Sequence, residues 1–266
     1  MGYVFDYKDA NGYDAWFDQA KNRYCLDLEI KLMLSLLAPE KGQRILDIGC
    51  GTGISLAPLL DQGLNLTGID PSQYMLDIAK KRLGSQVDLH RGVAEDLPFE
   101  DNAFDSAILF TSLEFTDRPA KALEEACRVA KDTLILCVLN RYAPLNMARR
   151  LKGFFVPNLF TYARFFSIWE LKLLLSSMLG KVPVKWRTVL QMPCVSGKIS
   201  GCIENNRLVQ KSIFGTLIGM RIKPVPTFRT RPMVLKVETS KAYGPVTGLA
   251  TRMRSEQMRS KQMRFK

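Results

Sequence analysis

Three glycines at alternate positions, Gly49, Gly51 and Gly53, follow the short apolar run Ile45-Leu-Asp-Ile48. A buried strand entering such a loop lets backbone N–H groups approach a bound nucleoside, because no Cβ stands in the way. A dinucleotide site would want GxGxxG or GxGxxA, and the third position here is Ile54. No Gly-Lys-Ser/Thr follows, so a Walker A loop is excluded. Taken alone, the loop reads either as a nucleoside cradle or as a tight strand-to-helix turn. Asp70 lies at the end of a second predicted strand, where its carboxylate can accept both hydroxyls of a ribose. Ala94-Glu95-Asp96 follows a third predicted strand, and Phe110–Phe115 follows a fourth. Four candidate segments thus fall just past the carboxyl ends of four successive strands, which is where open α/β sheets bind ligands.

The elements that must position these residues are legible as alternating patterns. Strands are expected at Arg44–Gly49, Asn65–Asp70, Val87–Arg91, Phe104–Phe110 and Asp132–Leu139. Helices are expected at Cys25–Leu37, Ser55–Asp61, Ser72–Leu83 and Ala120–Ala130. The first helix has apolar residues on two faces and should be buried on most sides, ending at Pro39. The last should bury Ala120, Leu123, Cys127 and Ala130 and show Lys121, Glu124, Glu125 and Arg128 to water. Strands alternating with helices imply βαβ units and a doubly wound, mostly parallel sheet. Beyond Asn140, Pro144 and Pro157 break an aromatic, basic stretch. Ser167-Ile-Trp-Glu170 has the form of a capping box, opening a helix with Ile168, Leu171, Leu175 and Met178 on one face. Two further strands are expected at Lys181–Gln191 and Ile213–Ile222, with Pro232–Val237 as an alternative for the last.

Composition bounds the class. With 266 residues, 47% apolar and 24% charged, the chain can bury a sizeable core, which excludes wholesale disorder. No apolar run approaches the roughly 20 residues of a membrane span. The opening Met-Gly-Tyr-Val-Phe-Asp lacks the basic flank and apolar core of a secretory signal, and Asp6 spoils a myristoylation match. The six cysteines form no CxxC pair, so reduced thiols, a cytoplasmic chain and no metal site are the expectation. Charge divides unevenly: residues 1–140 hold 14 Lys/Arg against 22 Asp/Glu, and residues 141–266 hold 24 against 4. The basic half suits an anionic partner, or is simply a solvated face and tail. The tandem repeat Met253–Gln257 and Met258–Gln262 has no helical period, and a disordered basic tail is expected over 223–266.

From Tyr13 to Asn140 the sequence resembles the class I S-adenosylmethionine-dependent methyltransferases, in the type 11 branch similar to the quinone-biosynthesis enzymes. The motifs that carry the resemblance are Leu46-Asp-Ile-Gly-Cys-Gly-Thr-Gly53, Gly68-Ile-Asp-Pro-Ser72, Ala94-Glu-Asp-Leu-Pro-Phe99 and Phe104-Asp105, with Arg118–Val129 like the helix that follows. The resemblance implies a Rossmann-like, doubly wound seven-stranded sheet, with six parallel strands and the last inserted antiparallel. It divides the chain into N-terminal cap helices (1–40), a cofactor-binding core (41–140), a basic aromatic lid (141–181), the last core strands (182–222) and the tail. S-adenosylmethionine is the implied cofactor. Asp47, Gly49, Cys50, Gly51 and Gly53 would face its methionine part, and Asp70 would hold the ribose. Pro71, Ser72, Met75, Ala94, Glu95, Asp96 and Phe110 would complete the nucleoside site. Many relatives carry Asp where Val93 stands, so either Glu95 or Asp96 substitutes or packing holds the adenine. Relatives often carry a His after the fourth strand, where this chain has Thr111-Ser-Leu-Glu-Phe115. His90, the only His, falls inside the third strand and reads as an ordinary strand residue. Glu114, with Asp117 behind it, is the implied base by position, or both are ordinary loop carboxylates.

The implied activity is in-line methyl transfer to an oxygen or carbon of a small hydrophobic or aromatic molecule. Tyr13, Trp16, Phe17, Phe165 and Phe166 would form the substrate lid. Two alternatives stay open: an RNA or protein methyltransferase docking through the basic half, and an inactive cofactor-binding partner subunit. Peripheral contact with anionic membrane or nonspecific contact with nucleic acid would follow from the basic half. The oligomeric state is not legible.

Overall fold

In the computed structural model, residues 2–155, 159–191, 206 and 209–224 are described, without the side chains of 152–155 and 159. The 223–266 tail beyond Pro224, the Pro232–Val237 alternative, Cys194 and Cys202 lie outside the described residues. Two helices, α1 (Tyr7–Phe17) and α2 (Ala20–Leu37), precede the sheet. Then come β1 (Arg44–Ile48), β2 (Asn65–Asp70), α3 (Gln73–Leu83), β3 (Val87–Arg91), β4 (Phe104–Phe110), α4 (Pro119–Val129) and β5 (Ala130–Leu139). Helices α5 (Pro144–Phe155), α6 (Leu159–Tyr162) and α7 (Ile168–Leu179) lead to β6 (Val184–Val189) and β7 (Leu217–Ile222). The seven strands lie in the order β3-β2-β1-β4-β5-β7-β6. Strand β7 is antiparallel to both its neighbours, and the β1–β5 pairings are parallel. The expected sheet, with six strands one way and one reversed, is the one found.

Alternation along the strands sorts the core into two layers. Ile45, Ile108, Ile135 and Cys137 point to the side covered by α2 and α3. Leu46, Ala107, Leu109, Leu134 and Leu136 point to the side covered by α4 and α7. Helix α2 lies directly on β7: a Cβ on Gly219 would stand 2.7 Å from Leu32 and from Leu36. Arg221 of β7 donates to the carbonyl of Leu36 at 2.8 Å, satisfying the helix end before Pro39. These contacts pin α2 to β7.

Local signals explain most boundaries. Ser72 caps α3 by accepting from the Met75 N–H, and Gly84 closes it at φ +63°. Pro144 opens α5 rather than breaking the chain, as its missing N–H allows at a helix start. Ser167 caps α7 by accepting from the Glu170 N–H at 3.1 Å. The box is only half formed, because the Glu170 carboxylate pairs with Arg141 at 2.9 Å and Arg164 at 2.8 Å. Two expectations fail in part. The Ser55–Asp61 α-helix is a 3-10 segment over Ala57–Gln62, tightened by Pro58 at its start and Gly63 after it. Helix α4 with its C-cap buries Leu123, Cys127 and Ala130 as expected, but it also buries Ala122, Ala126 and Val129 and exposes Ala120, so the buried stripe is wider and rotated.

Glu125 and Arg128 are not surface residues either. Arg128 donates to the carbonyls of Leu97 (2.9 Å) and Phe99 (2.7 Å), and pairs with Glu125 and Asp101. Glu125 in turn accepts from the Leu97 N–H at 3.0 Å. This buried network holds the loop after β3 against α4. It escaped the helical pattern because its carbonyl partners lie 29–31 residues away.

Candidate functional site

The carboxyl ends of β1, β2 and β4 form one ledge. Gly49 and Cys50 both donate to the Ile69 carbonyl, at 2.7 and 3.1 Å, which folds the glycine loop onto β2. Gly49 has φ +74°, and a Cβ there would meet the Ser112 Cβ at 2.4 Å. Ser112 itself donates to the Ile48 carbonyl at 2.6 Å. The Asp70 carboxylate accepts from the Gly51 N–H at 2.9 Å and the Ser72 N–H at 2.8 Å. Burial raises the Asp70 pKa while those two N–H groups lower it. Both oxygens keep lone pairs for further donors.

Above the ledge is a cavity of about 490 Å³. Of the expected cofactor residues, Gly49, Cys50, Gly51, Asp70, Pro71, Met75, Ala94, Glu95 and Phe110 line it. Asp47, Gly53, Ser72 and Asp96 do not, and support the wall from behind. Ser72 holds the N-terminal segment by donating to the Phe5 carbonyl at 2.7 Å. Ser55 donates to Oδ2 of Asp47, whose Oδ1 is buried without a partner. Burial pushes the Asp47 carboxyl up to about 7. Glu95 accepts from the Asp117 and Arg118 N–H groups at 2.9 and 3.2 Å, so it caps α4 with one oxygen. His90 is exposed, lies off the cavity and packs edge-on against Phe99 at 5.3 Å.

The lid differs from the expected one. Tyr13, Trp16 and Phe17 of α1 line the cavity, but Phe165 and Phe166 do not. Both phenylalanines are buried core side chains, because Phe166 forms a bridge with Asn140 at the end of β5. Residues 2–5, Leu145 and Arg149 of α5, and Phe160 of α6 close the cavity instead. The N-terminal segment is tied down where Tyr3 donates to the Phe115 carbonyl at 2.9 Å and stacks on Tyr162 at 4.5 Å. Arg82 of α3 clamps α1 to the glycine loop, reaching Asp14 at 2.6 Å, the Thr52 carbonyl at 2.6 Å and Thr52 Oγ1 at 2.7 Å. Spacing held no hint of this clamp, since its partners are 30 and 68 positions away.

Neither expected base reaches the cavity wall. Glu114 is 1% exposed and accepts from the Leu139 N–H at 2.6 Å, while its Oε2 has no partner. Burial pushes its carboxyl up to about 8. It sits under the sheet edge because the 3-10 turn at Leu113–Phe115 rotates it inward. Asp117 is exposed, off the cavity, at the start of α4. The carboxylate that does line the cavity on this side is Glu29 of α2, pushed up to about 7 by burial. A charged residue interrupting the apolar faces of α2 was the signal that could have found it.

In the basic half, many cations rest on the chain's own rings. Arg149 lies 4.6 Å from the Phe160 ring, Arg164 5.3 Å from Phe166 and Lys172 5.4 Å from Trp186. Among the described residues no helix is long and apolar enough to cross a membrane. None of their His, Cys, Asp and Glu side chains cluster as a metal site.

These residues fit a nucleoside with a cationic methionine arm. Asp70 offers anchored lone pairs at the end of β2, Gly51 leaves open space where a Cβ would stand, and Asp47 has an unpartnered oxygen beneath the loop. Comparison with known proteins agrees. Residues 46–138 match the family model described as a methyltransferase domain, type 11. A demethylmenaquinone methyltransferase of Renibacterium salmoninarum is 39% identical over 101 residues, 38% of this chain and 42% of that protein. The one from Clavibacter sepedonicus is 35% identical over 118 residues, 43% of this chain and 48% of that protein. The chain thus spans about half the length of the curated relatives it matches. A crystal structure from Thermotoga maritima, of an S-adenosylmethionine-dependent methyltransferase described as a possible histamine N-methyltransferase, superposes with a TM-score of 0.68. It is 30% identical, and the match covers 82% of this chain and 97% of that one. A glycine loop folded onto β2, an anchored Asp70 and a likeness running through nearly all of that relative lead to one conclusion: the chain belongs to the S-adenosylmethionine-dependent methyltransferase family.

Proposed function

We propose that this protein transfers the methyl group of S-adenosylmethionine to a small, largely apolar molecule. The observation that carries the reading is the single cavity in which the glycine loop and Asp70 share walls with Tyr13, Trp16, Phe17, Leu145 and Phe160. Its volume of about 490 Å³ is that of a small-molecule site, and its walls are mainly apolar. A wall formed by α1, residues 2–5 and α6 favours a small acceptor over a protein or RNA strand.

The cofactor supplies an activated methyl on a sulfonium, so the protein's work is placement and exclusion of water. Asp70 holds the ribose hydroxyls, and the N–H groups of Gly51 and Ser72 keep its carboxylate in position. Val93, Ala94 and Glu95 border the adenine end. Glu95 spends one oxygen on α4, so packing by Met75 and the 93–94 backbone carries much of the adenine contact. Thr111, held at φ +48° at the end of β4, lines the cavity together with Tyr13 and closes the opposite end. The relatives suggest two acceptor chemistries, a demethylmenaquinone and an amine. The experiment is calorimetric titration with S-adenosylhomocysteine, with NAD as control, followed by methyl-labelled donor and fractionated extracts. Micromolar binding to the nucleoside alone and label in a low-mass product are expected. Label in RNA or protein would overturn the small-molecule reading.

A further inference from the structure

The cavity has two ends, and one carboxylate is unclaimed. Asp70 marks the ribose end at β2. Glu29 lies at the other: its charge is felt by Cys137 of β5, by Glu114 after β4, by Tyr13 of α1 and by Arg149 of α5. Among the described residues Glu29 makes no hydrogen bond, and Arg149 reaches it only as a charge through space. Arg149 is engaged elsewhere, with Asn146 Oδ1 at 3.1 Å and the Phe160 ring. The cavity that Glu29 lines is mainly apolar, its walls including Cys25, Leu26, Leu139 and Leu190 beside Arg149. A carboxylate set among such side chains without a partner is costly.

We infer that Glu29 selects an organic amine as methyl acceptor, pairing with its ammonium group at the β4–β5 end of the cavity. This rests on the functional reading above. A neutral hydroxyl would leave the carboxylate only the through-space charge of Arg149, whereas an ammonium pairs with it directly. The rings of Tyr13, Trp16 and Phe17 line the same cavity, where an aromatic face beside the ammonium adds cation–π attraction. The same carboxylate is placed to prepare the nucleophile. A proton passes from nitrogen to a Glu29 oxygen and the N–H bonding pair stays on nitrogen as its lone pair, so carboxylate and ammonium become carboxylic acid and amine. A carboxyl pushed up to about 7 is better matched to that transfer than an ordinary one.

The groups facing Glu29 define its pH response. Arg149 stays cationic, and burial keeps the Tyr13 hydroxyl and the Cys137 thiol neutral. Glu114 titrates near 8, so Glu29→Gln serves as the control that separates the two carboxyls. The test titrates the full chain, saturated with S-adenosylhomocysteine, with phenethylamine and with 2-phenylethanol, at about pH 6 and about pH 8. The expected result is a preference for the amine of about tenfold or more at the higher pH. It should shrink at the lower pH, vanish in Glu29→Gln and survive in part in Glu29→Asp, with nucleoside affinity unchanged in both. Equal binding of the two compounds, no binding of the amine, or a preference kept in Glu29→Gln overturns the proposal. A tenfold loss of nucleoside affinity in Glu29→Gln also overturns it, by assigning Glu29 to the cofactor. Failure of the wild-type chain to bind S-adenosylhomocysteine removes the reading beneath and the proposal with it.

Discussion

The two ends of the cavity are built by different means. The ribose end is made by residues close in sequence or on adjacent strands: Gly49–Gly53, Asp70–Met75 and Val93–Glu95, each just past a parallel strand. Its hydrogen bonds are backbone to carboxylate or backbone to backbone, so the geometry follows from strand pairing. The other end is assembled from α1, α2, α5, α6 and residues 2–5, and its contacts mostly involve side chains reaching across distant elements. A ligand common to a family can be held by backbone geometry that tolerates substitution. A ligand particular to one member needs side chains, and these come from the parts of the fold that vary.

The comparison can be broken most forcefully at the glycine loop. Gly49→Ala places a Cβ against Ser112 at a positive φ, and should cost about 3 kcal/mol or more in stability. A wild-type melting temperature in that variant would mean the ledge is more plastic than its backbone contacts imply. Next in size, Asp70→Ala should weaken S-adenosylhomocysteine by about 1–3 kcal/mol with little change in acceptor binding. Equal loss at both sites, read by calorimetry, would show the two ends are one unit.

Glu114 sharpens the same contrast through pH. Its folded pKa, about 8, lies above its ordinary value, as do those of Asp47 and Glu29 at about 7. In each case the unfolded chain releases the proton first, so stability is full below the unfolded pKa and is lost as pH rises through the folded one. Thermal stability of the unliganded protein should therefore fall between about pH 5 and about pH 8. Glu114→Gln should flatten that slope and gain about 1–2 kcal/mol at the upper end. It should leave methyl transfer near wild type, since the carboxyl is off the cavity; loss of turnover with an intact fold would restore Glu114 as the base. The smallest effect is expected at the clamp. The Asp14–Arg82 pair is partly exposed on both sides, so Asp14→Ala should cost about 0.5–1 kcal/mol. Its readout is faster hydrogen exchange in α1, with the glycine loop unchanged.

Legibility followed the range of the interactions. Helix α3 was readable to within one residue because Ser72 and Gly84 punctuate it locally. Strands β2 and β4 were readable because parallel strands buried on both faces are short apolar runs, and the exposed edge strand β3 was readable from the alternation of Val87 and Leu89 with polar residues. Helix α4 was readable as a helix but not in phase, since alanine-rich windows allow more than one buried stripe. Glu125 and Arg128 carried no mark of burial, because a charged pair enters the interior only when distant carbonyls complete it. Phe165 and Phe166 suited a lid by composition, yet the bridge from Phe166 to Asn140 draws them into the core.

By itself the amino-acid sequence determined the alternation of strands and helices, the glycine loop and the place of Asp70 at the end of β2, because each rests on local backbone preferences and on order along the chain; the order of the strands in the sheet was seen only in the structure. Tertiary structure alone decided which carboxylate faces the cavity. A turn of 3-10 helix buries Glu114 beside Leu139, while the packing of α2 on β7 leaves Glu29 at the acceptor end. Two residues of the same type differ in role because distant strands, not their neighbours in sequence, set how much water and which charges each one meets.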